Sequence, residues 1–355
     1  MAYISAKEAA DKWGISQRRV ATLCAENRIE NAEMVGSVWI IPSTALKPVD
    51  GRQLRYNEID DGLAKPLLKW AGGKSQLLNE IKRRYPFTNK PSIRKYAEPF
   101  VGGGAVLFDI LNHYELDEIY ISDINSELIN LYQIVKNNAD SLIDQLQVLQ
   151  DKYLPLDDAG RKDFFLTSRQ KFNSLKRTND SLVKRAALMV FLNRTCFNGL
   201  YRVNRKGEFN VPIGAYKNPL ICDSKNIHRV SEKLQRVKIV CGDYRKSADF
   251  IDENTFVYFD PPYRPLNPTS NFTAYTENEF NDKEQLELAK FVRQMSNKGA
   301  AVMVSNSDPK NTDENDNFFD DAYSEQKIER VDAKRMINSK ASSRGQIKEL
   351  LITNY

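Results

Sequence analysis

Thr255-Phe256-Val257-Tyr258-Phe259 runs directly into Asp260-Pro261-Pro262-Tyr263. The apolar run predicts a buried strand. Two consecutive prolines cannot continue a hydrogen-bond ladder, so the strand must stop at Asp260. A carboxylate, a carbonyl facing no competing N–H from the prolines, and an aromatic ring are therefore held at a strand's carboxyl end. Ligands bind at such ends in open α/β sheets. The three groups suit a planar amine: Asp260 accepts one N–H, a proline-flanked carbonyl accepts the other, and Tyr263 stacks on the ring. A loop in which prolines merely end a strand is the competing reading.

The rest of the chain narrows the chemistry. Its 355 residues suit one large α/β domain and a smaller one. A hydrophobic fraction of 41% and a charged fraction of 28% are those of an ordinary globular protein. No apolar run is long enough to span a bilayer, and the first residues lack the parts of a signal peptide. Cys24, Cys196, Cys222 and Cys241 are far apart, and His113 and His228 are the only histidines. No metal site, disulfide frame or histidine-based triad is expected, and a reduced cytoplasm is the expected location. Residues 194–229 carry seven Lys or Arg against two acids, and residues 334–348 carry five basic residues and no acid. Such blocks beside a cleft favour a polyanion.

Taken in order, residues 1–47 read as a small module. Ser5 and Glu8 form a capping box ahead of a helix through Trp13, Gly14 turns the chain, and Ser16 caps a second helix bearing Arg18 and Arg19. A hairpin follows around Gly36-Ser37. This pattern resembles the winged helix-turn-helix heads of MerR- and excisionase-like proteins; a protein-contact or purely structural module is the other reading. Residues 48–65 are polar and read as a linker. Lys69-Trp70-Ala71-Gly72-Gly73-Lys74 then leads into a helix expected over 76 to about 85, with Lys74 at its start, where a carboxylate or phosphate is favoured. The spacing is not that of a P-loop. Lys95-Tyr96-Ala97-Glu98-Pro99-Phe100-Val101-Gly102-Gly103-Gly104-Ala105 is a strand, a glycine turn and a helix. A second strand ends on Asp123, nineteen residues after Gly104, where an acid can hold ribose hydroxyls or cap the next helix. Residues 139–192 have helical periodicity and no residue there asks for chemistry. Residues 193–214 mix arginines, asparagines, aromatics and glycines, with a hairpin tip near Arg205-Lys206-Gly207-Glu208. Arg and Asn read base edges in the major groove, and a surface hairpin is the plain alternative. A helix over about 282–295, a strand over 300–304 and a closing strand pair complete an α/β pattern with a mostly parallel sheet.

With the tryptophan–lysine motif, Glu98-Pro99-Phe100-Val101-Gly102-Gly103-Gly104, Ser122-Asp123 and Asp260-Pro261-Pro262-Tyr263 in hand, residues 66–355 resemble Dam-type DNA adenine-N6 methyltransferases, with the motif order of their alpha group. The resemblance implies a Rossmann-like class I methyltransferase sheet over 66–138 and 236–355, interrupted by a helical and hairpin target-recognition domain over 139–235. It implies S-adenosylmethionine binding by Trp70, Lys74, Gly102, Gly104, Asp123 and Asp260, and adenine handling by Asp260, Pro261 and Tyr263. Phe197 would be the wedge beside an extruded base, with Asn198, Leu200, Arg202 and Pro212 in the recognition hairpin. Residues 194–214 resemble the hairpin of enzymes acting on GATC, so the implied partner is double-stranded DNA, bound by a monomer without a metal. A cognate restriction endonuclease is a further implied partner. Phe272 is expected to assist stacking, and Lys334, Arg335 and Lys340 to contact phosphates. The extra head is not part of the family pattern. Ribosomal RNA and protein glutamine methyltransferases use the same or related motifs, and a DNA-binding regulator with a ligand-sensing body is a reading of a different class.

Overall fold

The computed structural model describes residues 3–25, 28–36, 38–48, 61–70, 72–74, 77–178, 181–264, 280–334 and 346–355. The chain divides into two compact units, Met1–Gly62 and Leu63–Tyr355. In the smaller, β1 (Tyr3–Ser5) leads into α1 (Ala6–Trp13). Ser5 Oγ accepts the Glu8 N–H at 3.2 Å, and the Glu8 carboxylate accepts the Ser5 N–H at 2.7 Å, so two of the helix's orphan donors are satisfied reciprocally. Gly14 adopts φ 63°, the left-handed turn that closes α1. Ser16 Oγ accepts the Arg19 N–H, and α2 (Gln17–Ala25) follows. Strands β2 (Glu33–Val35) and β3 (Val38–Pro42) form the expected hairpin. β1, too short for its period to be read, adds antiparallel to the other side of β3. Ala9, Val20, Leu23 and Ile41 close a separate small core.

Among the described residues the larger unit is organised by a sheet of seven strands. These are β4 (Lys95–Glu98), β5 (Glu118–Asp123), β6 (Val237–Cys241), β7 (Thr255–Phe259), β8 (Ala301–Ser307), β9 (Lys327–Lys334) and β10 (Gln346–Thr353). Their order is β6-β5-β4-β7-β8-β10-β9. All neighbours run parallel except β10, which is antiparallel to β8 and β9. The continuous apolar run of β7 is explained by helices on both faces: Phe256 and Tyr258 join one buried cluster, Val257 and Phe259 the other. From β4 the chain builds outward through β5 and β6, then returns to place β7 on the other side of β4. The carboxyl ends of β4 and β7 are thus the topological switch point, where the crevice of such sheets lies.

The helices are α3 (Leu78–Lys82), α4 (Ala105–His113), α5 (Ser126–Asn137), α6 (Ala139–Tyr153), α7 (Asp158–Thr178), α8 (Leu182–Thr195), α9 (Ser224–Leu234), α10 (Asp282–Asn297) and α11 (Phe318–Ala322). Leu142, Leu146, Phe165, Phe172 and Phe191, from α6, α7 and α8, share one core with the sheet residues Tyr96 and Ile121. The helical segment therefore packs as part of the sheet's own hydrophobic layer.

Two local expectations change. α3 is shorter than expected and begins at Leu78, with Lys74 in a 3-10 turn ahead of it; Pro86 disfavours helix at Tyr85 and limits the other end. The helix after β5 is capped by Asn125, whose side chain accepts the Glu127 and Leu128 N–H groups, and not by Asp123. The expected contacts of Phe272, Arg335 and Lys340, and of the Lys334 side chain, lie outside the described residues.

Candidate active site at the carboxyl ends of the strands

β7 ends where the prolines begin, and Asp260 stands at the crevice with its side chain 19% exposed. Its Oδ1 accepts from Lys74 Nζ at 2.6 Å and from Ser305 Oγ at 3.0 Å. Ser305 is itself tied to the Tyr258 hydroxyl at 2.9 Å. Among the described residues no donor meets Oδ2. Burial raises the Asp260 pKa above the usual carboxylate value, and Lys74, followed by Ser305, pulls it back. The Pro262 carbonyl is taken by Gln285 Nε2 at 2.9 Å, whereas the Pro261 carbonyl meets no donor among the described residues. The Tyr263 hydroxyl donates to Glu349 Oε2 at 2.5 Å, and Lys74 Nζ lies 4.4 Å from the Tyr263 ring centroid. Arg264 then pins the outgoing chain through Asp282 and Asp316. One acceptor from the carboxylate, one from the backbone and one ring are thus left for a ligand.

A second cluster adjoins the first. Gly102 and Gly104 adopt φ 47° and 74°. A Cβ on Gly103 would lie 2.9 Å from Trp70 Cβ, and one on Gly104 would lie 2.6 Å from the Tyr132 hydroxyl. Only glycine fits this turn. Asp123 accepts the Gly102 N–H through Oδ2 at 3.1 Å and the Asn125 N–H through Oδ1 at 2.9 Å. Burial pushes its pKa up to about 6, against the opposing pull of these N–H groups. Glu98, buried at the end of β4, accepts the Tyr96 hydroxyl at 2.7 Å. Burial raises its pKa well above normal, and its carboxyl interacts electrostatically with both Asp260 and Lys74, which links the two clusters. Trp70 lies over Gly102 and Gly103 and stacks on Tyr201 with centroids 5.4 Å apart.

Tyr201 is rooted in the basic hairpin. Bridges pair Cys196 with Ile213 and Val203 with Phe209, and the turn closes at Gly207 with φ 71°. Tyr201, Val203, Phe209 and Val211 are buried; Phe197, Asn198 and Pro212 are exposed, and Leu200 and Arg202 are half-buried. Asn198 adopts φ 56°. Arg202 Nε donates to Asn210 Oδ1 at 2.8 Å, which aims its guanidinium.

The structure thus brings Trp70, Gly102, Gly104 and Asp123 together, sets Lys74, Asp260, Pro261 and Tyr263 beside them, and gathers the remaining five candidates on the hairpin. It also supplies partners that the sequence concealed. Asn173 exchanges hydrogen bonds with the Phe209 backbone, and Lys176 donates to the Gly207 carbonyl, so α7 staples the hairpin. Asn193 bonds Lys69 in both directions at 2.9 Å and also the Gly199 carbonyl. Ser305 and Glu349 lie on strands where alternation suggests nothing beyond packing or a solvated face. Among the described residues no helix is long and apolar enough to cross a membrane.

Comparison with known proteins agrees with this geometry. The family model described as D12 class N6 adenine-specific DNA methyltransferase matches residues 70–337. The chain is 52% identical over 293 residues to the Type II methyltransferase M.MjaIII of Methanocaldococcus jannaschii, covering 82% of this chain and 99% of that protein. It is 39% identical to the Type II methyltransferase M1.LlaDCHI of Lactococcus lactis subsp. cremoris, over 85% of this chain and 98% of that one. It is 36% identical to the DNA adenine methylase of Escherichia coli K12, over 81% and 94% respectively. A mostly parallel sheet, a match over most of the chain and near-complete coverage of these relatives lead to one conclusion: the chain belongs to the D12 class of N6 adenine-specific DNA methyltransferases.

Proposed function

We propose that the chain transfers a methyl group from S-adenosylmethionine to adenine N6 at GATC in duplex DNA, after turning the base out of the helix. The observation that carries the acceptor site is the division of labour at Asp260: Oδ1 is held by Lys74 and Ser305, and Oδ2 receives no donor among the described residues. The exocyclic amine shares its lone pair with the ring and is a poor nucleophile. Oδ2 and the Pro261 carbonyl, accepting its two N–H groups, favour a pyramidal nitrogen with the lone pair directed at the methyl. This is orientational and electrostatic catalysis. The amine lies inside the stack, so extrusion costs a few kcal/mol; stacking on Tyr263 offsets about 1–3 kcal/mol.

The Asp123 carboxylate beside the glycine turn packed under Trp70 supports a nucleoside cofactor: beyond the Gly102 and Asn125 N–H groups its oxygens keep acceptor capacity. In this reading Trp70, Lys74, Gly102, Gly104, Asp123 and Asp260 hold the cofactor. Lys74 also has its ammonium on Asp260, on the Gly72 carbonyl and over Tyr263, which supports an added role in keeping the acceptor site anionic and ordered. When bound, S-adenosylmethionine supplies a sulfonium-activated methyl, so the protein's task is to orient the amine.

Phe197 is the proposed wedge, and Asn198, Leu200, Arg202 and Pro212 the proposed reading face. The exposure of Phe197 at 52% supports this. The head is proposed to be a winged helix-turn-helix that adds a DNA contact of its own; its capped helix pair and hairpin support the reading. The proposed division is 1–47 for the head, 48–65 for the linker, 66–138 and 236–355 for catalysis and 139–235 for target recognition. The names of the Type II relatives favour a restriction endonuclease partner, and a monomer acting in the cytoplasm fits a site methylated one strand at a time. The test is Asp260→Ala. Tritiated-methyl transfer to unmethylated duplex is lost while duplex binding survives; turnover near that of the unaltered protein rejects the assignment.

A further inference from the structure

We infer that Glu349 is a positioning residue for methyl transfer, holding the Tyr263 phenol so that one face of its ring is presented to the acceptor base. This rests on the reading of Tyr263 as the stacking residue. β10 is the strand that runs against the rest, and its register sets Glu349 opposite Ser307, near the carboxyl end of β8. The reversal brings a side chain from the last strand to the crevice built by β4 and β7. There Glu349 Oε2 accepts the Tyr263 hydroxyl at 2.5 Å.

A carboxyl in such a place is costly. Burial is the largest influence on Glu349 and raises its pKa, with Lys74 and the Tyr263 hydroxyl opposing. An apolar residue would pack between β8 and β9 at lower cost. Among the described residues, the hydrogen bond of this carboxyl goes to the motif tyrosine. Lys74 meets the same ring 4.4 Å from its centroid, so the ring is clamped at its edge by Glu349 and over one face by the ammonium. Without the edge contact the ring can swing about its Cα–Cβ bond, and the base loses a fixed platform. Misplacement of a reacting group by about 1 Å costs rate steeply.

The full-length chain, assayed by single-turnover methyl transfer to unmethylated duplex, provides the test. Glu349→Ala and Tyr263→Phe each lower the rate about tenfold, as expected for one hydrogen bond to a charged group. The double variant falls no further than either single one, because both remove the same contact. Glu349→Gln, which still accepts from the phenol, returns the rate to within about threefold, with cofactor and duplex affinities within about twofold throughout. A Glu349→Ala rate equal to that of the unaltered protein, additive losses in the double variant, or a parallel fall in cofactor affinity would overturn the inference. Should Glu349→Ala fail to fold, Tyr263→Phe decides alone: an unchanged rate overturns it. Turnover in Asp260→Ala would sink the acceptor-site reading and this inference with it. An inactive Asp260→Ala beside an unimpaired Glu349→Ala would sink the role of Glu349 alone.

Discussion

Lys74→Met removes one charge and keeps most of the side-chain volume. Nζ lies 2.6 Å from Asp260 Oδ1, with the two side chains 4% and 19% exposed. At an effective dielectric of about 20, such a pair attracts with roughly 6 kcal/mol before desolvation is counted. Removing one partner of a buried pair costs about 3–5 kcal/mol, because the remaining charge loses its compensation. Ser305 still donates to Oδ1 and Asp260 keeps some contact with water, so the low end, about 3 kcal/mol, is expected. The loss has a direction in pH. Burial raises the Asp260 pKa and Lys74 lowers it, so without Lys74 the carboxyl rises further and its neutral form gains population. The neutral form loses acceptor strength towards the amine. Stability should fall by about 3 kcal/mol, and turnover near neutral pH should fall with the share of Asp260 left ionised, the deficit shrinking as pH rises and growing as it falls. Single-turnover rates across roughly pH 6–9, with cofactor affinity measured by calorimetry at each point, check this. A deficit independent of pH would refute the reasoning, as would an unchanged rate accompanied by weakened cofactor binding, since Lys74 would then act on the cofactor alone.

Arg202→Ala should relax discrimination by about 1–3 kcal/mol at one base pair of the site; equal preference profiles across single-base variants would count against it. In the proposed cofactor role, Asp123, whose pKa burial pushes up to about 6, accepts ribose hydroxyls more strongly as a carboxylate than as the neutral acid. Cofactor affinity should therefore weaken as pH falls through about 6, and Asp123→Asn should flatten the profile; a flat titration of the unaltered protein would contradict this. In the unliganded protein the same raised pKa has the opposite sense: its contribution to stability is present below the ordinary aspartate value and is lost as pH rises through about 6.

Local chemistry made much of this protein legible in advance. The capping box at Ser5 and Glu8, the strand stopped by Pro261 and Pro262, and the glycine turn after β4 depend on neighbours within a few residues. Their outcomes follow from sterics and orphan hydrogen-bond groups, which the amino-acid order dictates directly. The tertiary structure alone decided where Lys74 points. Its position in the chain suggests a helix terminus, but the fold carries it to a carboxylate at position 260. It alone decided that Asp123 holds the Gly102 turn, and that Glu349, from a reversed last strand, reaches Tyr263. These contacts join residues far apart in sequence, and each depends on sheet order and register. Periodicity reports which face a side chain takes; only the packed strands settle which distant group it meets there.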